Sequence, residues 1–371
     1  MHGAGEEIDR VSEPRATNEF GWSAARATIP MAVGLSMAAF RASVLPRTWA
    51  LLMTALVLDN FVSLAIGLDR QRVARAWAVS AAHALPERFQ DLFDKAWVGP
   101  LGLIAPVLDL LAAKSLGEAA GAVPAIVSTL VIWGLFGGAI CRIAMTRMTQ
   151  QPTPGYFGAL RYTLRRAGAV CVPLASMGGL ALAMTGFLAI LGVLTHLPVV
   201  GQWLAWITLP AMIMPGAILI LCVCGVILGG PLILGAALHE EPDTCDVLSR
   251  SQCYLFQAPV TWALTIKIGF LIQTVGYYVV RWFLLALVAL MRRGLSLFGA
   301  LGTGASRVDW NFPDPWTMPA VTSDAFDFWS SVIKLAAVTW PAGFAFAFTG
   351  ALYLALKARV DLVPPQDVRI E

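Results

Sequence analysis

Six stretches of this chain continue for roughly twenty to more than thirty residues with at most two charged side chains in any one of them. That pattern constrains the fold more than anything else in the sequence. Water cannot reach backbone amides in hydrocarbon, so a chain crossing a bilayer must satisfy them internally, as a helix or a closed barrel. A barrel strand alternates apolar and polar residues over ~10 positions. These runs are continuously apolar and rich in Leu, Ala and Gly, which selects helices. Charged residues make up 13% of the chain, about half the usual share of a soluble domain. The expected fold class is all-α: a polytopic helical membrane protein with about six transmembrane helices.

The expected spans are 49–68, 122–140, 167–195, 203–238, 259–291 and 328–356. They form one membrane domain, 27–357, between a flexible tail (1–26) and a short tail (358–371). Residues 28–44, interrupted by Arg41, suit a helix lying at the interface. Residues 69–121 and 292–327 are read as external excursions. Within the first, Pro100, Pro106 and Asp109 break an apolar stretch at 97–116, which suits an interfacial or re-entrant segment better than a crossing. The 203–238 run would measure about 54 Å as straight helix, against a hydrocarbon layer of roughly 30 Å. Pro210, Pro215 and Pro231 offer places for it to kink or segment.

Orientation follows from the basic residues flanking the spans. Between the second and third spans lie Arg142, Arg147, Arg161, Arg165 and Arg166, with no acidic residue among them. That segment is expected in the cytoplasm. Parity then places both termini and the 240–250 segment there too, in a multi-pass protein of a cell's inner (cytoplasmic) membrane. Arg292 and Arg293 run against this arrangement, because it leaves them outside. No basic tract suggests nucleic-acid binding.

A pattern also occurs twice. Gly137-Gly138, an arginine-bearing segment around Leu160 and Pro173 are echoed by Gly229-Gly230, Leu248 and Pro259. In each copy an apolar helix ends after Gly-Gly, a short amphipathic helix follows, and an apolar helix resumes. Two such units are expected, as in membrane folds built by duplication. Gly134/Gly138 and Gly225/Gly229 add a small-xxx-small pair to each copy, a signal for close helix approach.

On Ala159, Leu160, Arg165 and Arg166 in the first copy, and Val247, Leu248, Ser249, Arg250 and Ser251 in the second, the chain resembles a broad bacterial class. It includes the membrane domain attached to glycerophosphodiester phosphodiesterases and the Yip-type integral membrane proteins. The resemblance covers about half the chain. It implies a six-helix membrane bundle concerned with trafficking, envelope organisation or assembly.

Two constellations invite a functional reading. Asp59 and Asn60 lie within the first span, where a charge costs on the order of 2.5–3.5 kcal/mol and usually faces a bundle interior. Lys267, with Gln273, lies at comparable depth in the fifth span, so a shared polar pocket is the candidate. The alternative is that each is satisfied by snorkelling or helix packing. Arg161, Arg165 and Arg166, beside Phe157, Leu160 and Leu164, form a basic amphipathic helix; with Arg250 they are candidate contacts to lipid, anionic headgroups included. The plain alternative is that they only set topology.

Neither a nucleophile elbow, nor a His-Glu-x-x-His, nor a phosphate-binding loop is present in the sequence. The 239–245 cluster of His239, Glu240, Glu241, Asp243 and Cys245 lacks the second histidine of a metal site, and Asp243 or Thr244 suits a helix cap. Six cysteines, at 141, 171, 222, 224, 245 and 253, suggest no disulfide framework. No catalytic, cofactor or metal set is therefore expected. The expected role is non-enzymatic: organising or assembling with other membrane components, through a protein partner or oligomer. The alternative is a transporter of a small solute or lipid past Asp59 and Lys267. If both short amphipathic helices lie on one side, single cysteines replacing Arg161 and Arg250 will react with an impermeant maleimide from the same face of oriented vesicles.

Overall fold

A computed structural model of the chain describes residues 22–66, 116–195, 201–239, 243–297 and 325–365. The N-terminal tail up to 21, most of both excursions (69–115 and 298–324) and the last six residues lie outside the described residues, as does the question of whether 97–116 crosses. What is described is helical, with no strand among the described residues. The helices are α1 (Trp22–Ser43), α2 (Pro46–Ile66), α3 (Leu116–Met148), α4 (Tyr156–Arg165), α5 (Ala167–Thr195), α6 (Gly201–His239), α7 (Thr244–Gln257), α8 (Pro259–Leu297) and α9 (Ala325–Val360).

Four stretches are long and apolar enough to cross a membrane: Gly121–Met148, Ala167–Thr195, Pro259–Arg293 and Trp329–Val360. Thr28–Ser43 and Pro46–Asp59 pass the same test only as a pair, bent by 70°. Proline explains the bend. Pro46 has no N–H to continue α1 and disfavours helical geometry at Leu45, yet suits the first turn of α2. The Thr48 hydroxyl donates to the Ala42 carbonyl (2.8 Å), tying the corner. Residues 28–44, expected at the interface, pack into the bundle instead. Ala32, Leu35, Ala39 and Ala42 form a buried stripe at helical spacing, and α1 lies against α8 and α9. α6 runs as one helix through its three prolines, with shorter apolar stretches at Trp206–Cys222 and Leu228–His239.

The bundle is built round α9, which packs against α1, α2, α3, α6, α7 and α8. Six consecutive residues, Ala351 to Leu356, are each at most 1% exposed. Six positions cover the full circumference of a helix, so this segment is enclosed on every side. At the other extreme stands α5, in which no residue from Ala175 to Thr195 is buried and which packs chiefly on α6.

In lipid, burying apolar surface gives helices little reason to associate, so contact quality decides. Here large side chains sit in notches made by glycine. Phe346 of α9 fills the space over Gly137 of α3, and Phe348 that over Gly269 of α8. A Cβ at Gly276 would come within 2.7 Å of both the Phe40 and Trp340 rings, and one at Gly235 within 2.5 Å of Tyr353 Cβ. α9 also receives: Met145 of α3 lies over Gly350. The rings extend these contacts, with Trp340 edge-on to Phe40 at 5.5 Å and Trp133 stacked on Phe346 at 5.7 Å. We expect Gly235→Ala to cost about 1–3 kcal/mol, since Tyr353 and its backbone must shift. Gly216→Ala, with nothing near its Cβ position, should be neutral or gain up to ~1 kcal/mol from helix propensity. Unfolding in mild detergent measures the contrast.

Candidate functional site

One group of polar side chains meets at the C-terminus of α6. A helix ends with four carbonyls that lack intrahelical partners, and that end carries partial negative charge. Three side chains meet those of α6. Tyr162 of α4 donates its hydroxyl to the Leu238 carbonyl (3.0 Å), Arg142 of α3 donates to the same oxygen (3.3 Å), and Arg166 donates to the Ala237 carbonyl (3.4 Å). Both guanidiniums also lie over the Tyr162 ring, at 3.9 and 4.9 Å from its centroid. A ring face is negative, so a partly desolvated guanidinium gains from it as well as from the carbonyls. This explains how Arg142 can be buried at the end of an apolar helix.

The turn into α4 is fixed from both sides. Gln150 takes a left-handed conformation (φ 58°) and the Gln151 amide reaches back to the Thr146 carbonyl (2.8 Å), closing α3. Arg47 of α2 donates to the Pro154 carbonyl (2.9 Å), and Tyr156 donates to the Thr54 hydroxyl (3.2 Å). Ala159 and Thr163 are the buried residues of α4, and Thr163 sits over Gly138. Its opposite face carries Phe157, Arg161, Leu164 and Arg165, all exposed.

α7 occupies a corresponding seat. Asp243 caps it, accepting from the Cys245 amide (3.1 Å). Val247, Ser251, Tyr254 and Leu255 face inward, and Gln252 covers Gly229. Tyr254 donates to the Asp361 carboxylate just beyond α9 (2.6 Å), and Lys357 lies 3.9 Å from the same oxygen. The Tyr353 ring lies between those of His239 and Tyr254, 5.7 and 5.9 Å away. Thus both short helices pack at the α6 terminus, each seated on the second glycine of a small-xxx-small pair. The first glycines receive α5: Val170 and Cys171 approach Gly134, and Met177 lies over Gly225.

The residues singled out from the sequence fare differently. Asp59 is buried on α2, and Gln273 is buried on α8, its amide nitrogen without a hydrogen-bond partner among the described residues. Lys267 is exposed, whereas Asp59 is fully buried. α2 packs on α3 and α9, whereas α8 packs on α1 and α9. The Asn60 side chain lies outside the described residues. Of the four arginines, Arg161 and Arg165 point outward, Arg166 turns back over Tyr162, and Arg250 is paired with Asp246 (2.9 Å). Sequence reasoning missed Tyr162, Tyr254 and Asp361 and used Arg142 only for orientation. The available signal was an arginine and a tyrosine near the end of an apolar run, where helix carbonyls need donors. Among the described residues no group of three or more metal-ligating side chains comes together.

No family model matches the chain, and no curated protein or solved structure matches it either.

Tyr162→Phe removes one donor from the α6 terminus and should cost about 1 kcal/mol in unfolding measurements. Tyr254→Phe, losing a bond to a carboxylate, should cost about 1–2 kcal/mol. It should also speed protease cleavage beyond Val360, which Tyr162→Phe should not.

Proposed function

We propose that this chain is a non-enzymatic multi-pass protein of a bacterial inner membrane that assembles with another membrane protein or with further copies of itself. One observation carries the reading. Large side chains fill the glycine notches that face the core, while those on the outer face of α5 stand empty. Nothing lies within 4 Å of a Cβ placed at Gly179 or Gly186. With the exposed Ala175 and Ala183 they make one face of α5, as 175, 179, 183 and 186 follow helical spacing. Exposed small residues in a spanning helix let a second helix approach closely. The neighbouring part of α6 exposes Trp206, Ile207, Ile213, Met214, Ile220 and Leu221. Lipid solvates these residues in a lone molecule, and a partner helix would pack against them.

In the same proposal α3–α4–α5 and α6–α7–α8 are two copies of one unit, α6 and the bent α1–α2 pair bring the crossings to six, and both termini lie in the cytoplasm. The matching seats of α4 and α7 on Gly138 and Gly229 support the duplication. The resemblance to phosphodiesterase-linked and Yip-type membrane domains points the same way. Transport of a solute or lipid past Asp59 and Lys267 is the weaker reading, since Lys267 faces outward.

Gentle extraction should yield a complex larger than the monomer. Gly179→Leu with Gly186→Leu should release the monomer without lowering its unfolding temperature. Repeated recovery of the unaltered protein as a lone monomer would remove the reading.

A further inference from the structure

We propose that the outer face of α4 is a docking surface for anionic phospholipid headgroups, and that the matching face of α7 is not. This surface is separate from the outer face of α5. α4 joins two stretches long and apolar enough to cross a membrane, Gly121–Met148 and Ala167–Thr195. Its place is therefore at the boundary between hydrocarbon and water. Its inward face is committed: Ala159 and Thr163 are buried, and Tyr162 is bonded to the α6 terminus. The helix cannot roll to hide its other side.

That other side pairs apolar and cationic groups. Phe157 is 81% exposed and Leu164 is 52% exposed, and Arg161 and Arg165 lie on the same face. Positions 157, 161, 164 and 165 fall within about a quarter-turn of one another round a helix of 3.6 residues per turn. An aromatic and a leucine beside two arginines suit the acyl–headgroup boundary, the apolar groups entering and the guanidiniums meeting phosphate. The chain from 142 to 166 contains neither Asp nor Glu, and among the described residues no carboxylate is paired with Arg161 or Arg165.

α7 supplies an internal control at the same end of the bundle. It exposes Phe256 at 75%, so the apolar element is present. Its arginine is already neutralised, Arg250 Nε lying 2.9 Å from Asp246 Oδ2. Helix position and apolar character are thus shared, and free positive charge separates the two. Each unpaired cation near an anionic leaflet favours binding on the order of fivefold, an effect that salt screens.

The test uses full-length protein reconstituted in mixed phosphatidylcholine and phosphatidylglycerol vesicles. The membrane is cut into polymer-bounded discs, and the lipid held with the protein is compared with the bulk. Enrichment of phosphatidylglycerol is expected, falling on the order of fivefold per arginine in Arg161→Gln with Arg165→Gln at low salt. Arg161→Lys with Arg165→Lys should keep most of the enrichment, and Arg250→Gln should leave it unchanged. Equal enrichment in the glutamine pair and the unaltered protein would overturn the proposal. So would an equal loss in Arg250→Gln, or loss in the lysine pair as large as in the glutamine pair. Displacement of the lipid by inorganic phosphate at constant ionic strength would also overturn it, revealing a discrete phosphate site in place of a lipid surface.

Discussion

Aromatic side chains seated in glycine notches hold this bundle together, and much of the remaining structure depends on that contact. Lipid tails are as apolar as leucine, so association must come from close dispersion contact and matched hydrogen bonds. α9 concentrates both halves of the contact. It projects Phe346, Phe348 and Tyr353 into glycines of α3, α8 and α6, and offers Gly350 to Met145. A helix used as knob and hole on several sides must be enclosed by its neighbours, as the burial of Ala351 to Leu356 records. The neighbours in turn are held at the spacing those rings allow.

The second constraint is electrostatic and lies at one end. Where α6 stops, its free carbonyls need donors, and they draw in Arg142 of α3, Tyr162 of α4 and Arg166 of the turn that follows α4. Capping a helix thereby fixes the roll of α4, and the roll decides which arginines face inward. Arg166 satisfies backbone while Arg161 and Arg165, one turn and one residue earlier, remain outside. Similar sequence neighbours acquire different roles from their angle about one short axis.

Helical segments were legible because their signal is local. The apolar run 167–195 is α5 itself, and those at 203–238 and 259–291 lie within α6 and α8. The small-xxx-small pairs were legible too, and all four glycines meet another helix or a short helix side chain. The 28–44 stretch misled because one arginine and a short apolar run look interfacial, while its buried stripe depends on α8 and α9 being present. The Asp59–Lys267 pocket rests on the same kind of local reading. Counting depth from a helix end gives height in the membrane and says nothing about which way a side chain points. Lys267 and Gln273 lie on one helix, yet one is exposed and the other buried.

Hydropathy and glycine and proline placement were enough to determine an all-helical chain with several helices long and apolar enough to cross a membrane, joined by two short amphipathic ones. Those properties follow from the backbone's need for internal hydrogen bonds and from side-chain spacing along a single helix. Which helix stands at the centre, which glycines are filled and which are open, and which arginines are spent on carbonyls were decided by the tertiary structure alone. Each depends on the rotation of one helix about its axis relative to another, a quantity that local sequence pattern leaves undetermined until partners are packed.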